Sequence, residues 1–210
     1  MTRMLDIDRM VLGPLGTNVY IVFNTETKEA VIIDPAAKPN EIMVELENNK
    51  LTPKAILLTH GHFDHILAVN ELVEKYHIPV YASAEDKWLL DNPNFYGHDF
   101  SQHAVKNYEK ITFDEKELIG FKWKVIRTPG HSKGSVCYYI EDEKVMFSGD
   151  TLFEGTYGRT DFDTGSMEDM LESINKKLFI LPDDIDVFPG HGGETILGRE
   201  KIYNAIKEIN

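Results

Sequence analysis

One cysteine, Cys137, is all that the 210 residues contain, so no disulfide can form within the chain and no thiolate cluster can hold a metal. Any metal chemistry must rest on histidine and carboxylate. Basic residues are scarce too: 22 Lys and Arg against 35 Asp and Glu leave a formal charge of −13. That balance argues against a general affinity for nucleic acid or an anionic membrane surface, both of which need basic patches to replace counterions. No apolar run is long enough to span a bilayer, and the start MTRMLDIDRM lacks the apolar stretch of a secretory signal. A cytoplasmic protein with small-molecule partners is expected. Fixed-period repeats, low-complexity tracts and Gly-, Ser- or Pro-rich linkers are also missing, and one domain over 1–210 is the economical reading.

What is present is a chain with 42% hydrophobic residues, enough for a substantial core. Short β-branched runs predict strands at 18–24, 29–34, 54–59, 121–128, 135–140, 144–150 and 184–190. Helical patterns fall between them near 40, from 65, from 84, from 166 to 179, and over GREKIYNAIKEI at the end. The class is therefore α/β. Ser166, three residues before Asp169, predicts a helix N-cap. The segment 91–107, with aromatics among polar residues and His98 and His103, reads as a surface insertion whose histidines are solvated.

The densest chemistry lies in THGHFDH, residues 59–65. Where an extended strand ends, residues two apart point the same way, so His60 and His62 can grip one ion while Gly61 lets the backbone turn closely. Asp64 and His65 stand where the next helix begins and can be aimed at a second ion; Asp64 is equally a plausible cap for that helix. Three further residues sit in matching settings, each after a short apolar strand and beside glycine: His131 in TPGH, Asp150 in SGD and His191 in PGH. Taken singly each is an ordinary turn residue. Together with the first motif they indicate a metal site at strand ends, where a rigid scaffold presents functional groups.

THGHFDH, TPGH, SGD and PGH in this order resemble the metallo-β-lactamase superfamily, over essentially the whole chain. The resemblance implies an αββα four-layer sandwich with the metal site at one edge of the sheets. It implies that His60, His62 and His131 hold a first metal, that Asp64, His65 and His191 hold a second, and that Asp150 bridges them. A bridging aspartate suits the glyoxalase II-like, lactonase and RNA-processing members, whereas true β-lactamases of the fold lack it. GDTLFEGTYGRTDF resembles the small bacterial glyoxalase II-like (hydroxyacylglutathione hydrolase-like) hydrolases. In that setting Tyr157 and Arg159 would meet an anionic substrate, Arg159 being equally able to form an exposed salt bridge. Asp34, closing VIIDPA, matches an aspartate that orients ligand histidines, or else is a turn residue before Pro35. Only 19 residues follow His191, so no counterpart of the C-terminal helical domain that helps hold glutathione in glyoxalase II is expected.

The implied cofactor is a pair of divalent ions, most simply Zn2+, with iron or manganese equally suited to imidazole and carboxylate. Such a pair lowers the pKa of a shared water to about 7. The implied reaction is hydrolysis of a small thioester or ester, with Asp64 holding the proton in transit. The alternative on the same fold is a persulfide dioxygenase with one iron.

Overall fold

The β-branched run Thr17–Asn24 forms a strand, β2, that is buried along its whole length. It pairs antiparallel with β1 (Leu5–Leu12) on one side and β3 (Glu29–Ile33) on the other. From β3 onward the sheet turns parallel, and parallel neighbours need a crossover longer than a hairpin. Two helices supply it: α1 (Pro39–Asn48) leads from β3 to β4 (Thr52–Leu57), and α2 (Val69–Tyr76) leads from β4 to β5 (Val80–Ala82). After α3 (Lys87–Asp91) come the two-residue strands β6 (Asn94–Phe95) and β7 (His98–Asp99), and then β8 (Glu109–Lys110), giving a sheet of order β1-β2-β3-β4-β5-β8. Ile42 and Leu46 of α1 and Val69 and Leu72 of α2 close over Val19, Ile21, Ile32 and Ile56. Each such side chain contributes about 1.5–3 kcal/mol when fully buried.

The structure is a computed structural model that describes residues 4–95 and 97–209. The first three residues of the MTRM start, Tyr96 of the expected insertion and Asn210 lie outside that range. The chain divides into two compact units, Met1–Ile111 with Glu117–Phe121, and Thr112–Lys116 with Lys122–Asn210.

A second sheet is carried mainly by the second unit. It contains β9 (Glu115–Leu118), β10 (Phe121–Arg127), β11 (Val136–Ile140) and β12 (Val145–Gly149). After the small hairpin β13 (Leu152–Phe153) and β14 (Thr156–Tyr157), α4 (Met167–Glu172) crosses to β15 (Asp186–Pro189), which pairs parallel with β12. The strand β16 (Thr195–Ile196) and helix α5 (Leu197–Tyr203) follow, and the sheet order is β16-β15-β12-β11-β10-β9. Met170, Ile174 and Leu178 pack with Cys137, Tyr139, Met146 and Val187.

The expected α/β class and all seven expected strands are present, with ends shifted by a residue or two. Helix extents differ more. The helix expected from 65 begins at Val69, after a 3-10 turn at Phe63–His65. The pattern from 166 to 179 is α-helical only to Glu172 and continues as a π turn over Ser173–Leu178; Ser173 there donates its hydroxyl to the Pro129 carbonyl at 2.7 Å. Ser166 caps α4 as expected, accepting the Asp169 N–H at 3.2 Å. The last helix breaks at Asn204, whose side chain instead serves Thr156 O and Glu200 Oε2, both at 2.8 Å. β1 went unforeseen because LDIDRMVL sits at a sheet edge with mixed exposure and shows no clean alternation. Among the described residues no helix is long and apolar enough to cross a membrane.

Candidate metal centre

In the first unit, β3 and β4 are parallel neighbours with Ile33 opposite Leu57. Their C-terminal ends therefore open at the same edge, and the residues just beyond them, Asp34 and the Thr59–His65 stretch, become neighbours. Asp34 holds a left-handed backbone, φ +48°, a conformation that Asp and Asn tolerate better than other non-glycine residues. Its carboxylate accepts the Thr59 N–H at 2.8 Å and the Thr59 hydroxyl at 2.6 Å. The same Oδ2 lies 2.9 Å from Nδ1 of His65.

These contacts fix proton positions by elimination within the network. Because the Thr59 hydroxyl gives its one proton to Asp34, its oxygen can only accept from Nδ1 of His60, 3.0 Å away. His65 in turn donates from Nδ1 to the carboxylate. In both neutral rings Nε2 then carries the lone pair that a metal requires. His60 and His65 are buried, with ring centroids 4.2 Å apart, and His62 stands edge-on to His60 at 4.8 Å. Asp64 is buried in the 3-10 turn and accepts the Thr17 hydroxyl at 3.0 Å. It caps no helix: the turn has His62 at its N-cap without a side-chain bond, and α2 starts at Val69.

Phe63, between His62 and Asp64, stacks with Phe95 at 4.9 Å and with Phe100 at 4.7 Å. Both partners belong to the expected 91–107 insertion, which is thereby tied to the motif. In that segment His98 is exposed beside a shallow depression of about 290 Å³ lined by Asn92, Asp99 and Ser101, and His103 ends a short 3-10 turn.

In the second unit the same strand logic gathers the other three residues. Asp150 follows β12 and His191 follows β15, its parallel neighbour, with Gly190 N–H donating to the Gly149 carbonyl at 2.8 Å. Nε2 of His131 and Nε2 of His191 each lie 3.4 Å from the same Asp150 oxygen, Oδ2. That is long for a hydrogen bond. It matches the separation of two ligands on one tetrahedral ion with bonds of about 2.0–2.1 Å, so the donor set fits a metal. Nδ1 of His131 donates to the Arg159 carbonyl at 2.8 Å, and this again leaves the lone pair on Nε2. His131 also meets Phe162 edge-on at 5.7 Å, and His191 meets Phe153 at 6.2 Å.

Two glycines make this set possible. A Cβ on Gly130 would lie 2.6 Å from Met170 Cα, and its φ is +147°, so only glycine brings the His131 loop onto α4. A Cβ on Gly158 would lie 1.8 Å from the Asp150 carbonyl oxygen and 3.2 Å from Nδ1 of His131.

The side chain of Arg159 forms a bidentate pair with Asp161, both contacts at 2.6 Å, and lies over the Phe162 ring at 4.3 Å. The guanidinium holds the Asp161 carboxyl down to about 2. Of the two roles open to Arg159, the salt bridge is formed, and it is the backbone carbonyl that touches a site histidine. Tyr157 lies in β14, half-buried against the core of the second unit. Cys137 is fully buried among Thr128 and the Ser148 carbonyl, and burial pushes its thiol up to about 11. Thr17, Thr59, Asp86 and Gly158 are the site-supporting residues that motif reading missed. Thr59 and Gly158 stood inside quoted motifs, THGHFDH and YGRTD, whereas Thr17 and Asp86 carried no such signal.

A family model described as the metallo-beta-lactamase superfamily matches residues 12–191. The "Probable metallo-hydrolase YqgX" of Bacillus subtilis (strain 168) is 40% identical over 201 residues, covering 93% of this chain and 94% of its own. The "Hydroxyacylglutathione hydrolase GloC" of Haemophilus influenzae is 34% identical over 206 residues, covering 95% and 97%. Among solved structures, the BLEG-1 B3 metallo-beta-lactamase superposes with a TM-score of 0.88 at 37% identity, covering 95% of this chain and 98% of that one.

Proposed function

The chain belongs to the metallo-β-lactamase superfamily, and from that premise we propose that it is a metal-dependent hydrolase cleaving a thioester or ester of a small molecule, in the manner of glyoxalase II. The observation that carries the reading is the set of fixed ring tautomers. Asp34, Thr59 and the Arg159 carbonyl occupy Nδ1 of His65, His60 and His131, so each ring keeps its Nε2 lone pair for a metal.

The proposed ligands are His60, His62 and His131 for one divalent ion, Asp64, His65 and His191 for the other, and Asp150 for both. These residues would hold two divalent ions, zinc in the first instance, whose chemistry when bound would be water activation and Lewis-acid polarisation of a carbonyl. The protein's own groups do the rest. Asp34 and Thr59 hold two rings in register, and Thr17 holds the Asp64 carboxylate through a hydroxyl donor. In this reading Asp64 holds the proton that passes from the attacking water to the leaving thiolate or alkoxide. The formal charge of −13 favours a small-molecule substrate over a nucleic acid.

A second reading comes from BLEG-1, whose name is that of a β-lactamase: hydrolysis of a strained lactam amide, a reading that Asp150, expected to be absent from true β-lactamases of the fold, weighs against. One experiment separates these readings. Full-length protein of measured metal content is assayed against acyl thioesters, esters, lactones and a chromogenic β-lactam. Thioester turnover, with close to two metals per chain and loss on chelation, is the expected result. Turnover confined to the lactam favours the second reading. One iron per chain, with oxygen consumption on a thiol persulfide, overturns both.

A further inference from the structure

Of the three motif positions that hold no proposed ligand, Thr59, Gly61 and Phe63, the last two are gripped from residues 86–100. Asp86 occupies the N-cap position of α3, where aspartate ordinarily accepts a backbone N–H of its own helix. It makes no such bond. The turn before it is capped instead by Ser83, which accepts the Glu85 N–H. Oδ2 of Asp86 reaches across to accept the Gly61 N–H at 2.9 Å, and the residue is only 1% exposed. A carboxylate taken out of water is costly unless it is hydrogen-bonded, and one that forgoes its local cap to bind elsewhere marks the distant contact as the one the fold uses.

The approach is also close. A Cβ on Gly61 would stand 3.0 Å from Leu89 Cβ, 3.1 Å from Asp86 Cβ and 3.2 Å from the Asp86 carbonyl oxygen. Glycine is therefore needed at 61 to let the 86–89 backbone come near. The rings of His60 and His62 meet at 4.8 Å between centroids, while the peptide between them is anchored separately by Asp86.

We propose that Asp86 is a positioning residue: by clamping the Gly61 N–H it sets the spacing and direction of His60 and His62 and thereby the metal affinity of the site. The proposal rests on the reading of His60 and His62 as ligands. Hydrogen-bonding partners one step outside a ligand set typically change metal affinity by about 10–100-fold when removed.

The test uses Zn2+ titration of metal-free full-length protein against a chromogenic chelator, with Co2+ absorption as a report of ligand geometry. Asp86→Ala is expected to weaken Zn2+ binding by about 10–100-fold and to shift the Co2+ d–d bands. Asp86→Asn keeps an oxygen acceptor and is expected to restore most of the affinity. Gly61→Ala, which pushes the same contact apart from the other side, is expected to weaken binding as Asp86→Ala does. If Asp86→Ala fails to fold, Gly61→Ala and Asp86→Asn decide the matter: wild-type affinity and spectrum in Gly61→Ala overturn the proposal. His62→Ala separates the two levels. Undiminished Zn2+ uptake in His62→Ala removes the ligand reading and this proposal with it. Loss of uptake in His62→Ala, beside wild-type titrations in Asp86→Ala and Gly61→Ala, overturns the positioning role alone.

Discussion

Oδ2 of Asp34 accepts from Nδ1 of His65 at 2.9 Å and from the Thr59 hydroxyl at 2.6 Å. One carboxylate thus orients one histidine directly and a second, His60, through Thr59. Removing its charge while keeping its shape isolates that role, because asparagine also tolerates the left-handed backbone at this position. Asp34→Asn is expected to lower metal affinity by about 10–100-fold, measured by chelator competition, with little change in the fold by circular dichroism. Wild-type affinity in this variant would show that the rings are held by other means.

Gly158 approaches the Asp150 carbonyl so closely that any side chain collides with backbone, 1.8 Å from a built Cβ. Overpacking of this kind costs about 1–3 kcal/mol, more where neither partner can move. Gly158→Ala is expected to lower the unfolding midpoint in denaturant and to weaken metal binding together. A stable variant with a normal midpoint would contradict the approach.

Arg159 holds the exposed Asp161 carboxyl down to about 2, against 3.8 for the ordinary group. A depressed carboxyl contributes stability above 3.8 that is lost as pH falls toward 2, and here the contribution is small because water screens the pair. In Arg159→Ala the Asp161 carboxyl is expected to titrate near 3.8 by NMR. The backbone carbonyl that serves His131 survives the change, so metal affinity should hold. A rise in KM at constant metal affinity would then locate substrate contact at the guanidinium, and an unchanged KM would leave it with the salt bridge alone.

Cys137 has a thiol pushed up to about 11 by complete burial. Thiol reagents attack the thiolate, so the native protein is expected to resist alkylation at pH 8 and to react with one equivalent once unfolded in guanidinium. Rapid labelling of the native protein would mean that this part of the second unit opens readily.

Strands were legible because NVYIVFN, KAILLT and SVCYYI are β-branched runs ended by turn residues, and burial alone selects such segments. Helix ends were not. The 65–77 pattern is periodic from its first residue, yet His65 is held in a 3-10 turn by Asp34, a contact 31 positions away that no local pattern encodes. The break at Asn204 has the same origin, since its side chain serves backbone and side-chain groups 4 to 51 positions away.

The amino-acid sequence by itself determined the chemistry available to this protein. With one cysteine, eight histidines and THGHFDH, TPGH, SGD and PGH at strand ends, metal binding through imidazole and carboxylate is written in the residue types and their short spacings. Tertiary structure alone decided which nitrogen His60, His65 and His131 offer and what holds the site residues there. Those choices depend on hydrogen bonds between residues far apart in the chain: Asp34 with His65, Asp86 with Gly61, and the Arg159 carbonyl with His131. A ring nitrogen's proton is set by the partner it meets in space, and only the folding of each unit, which brings distant residues together, could settle it.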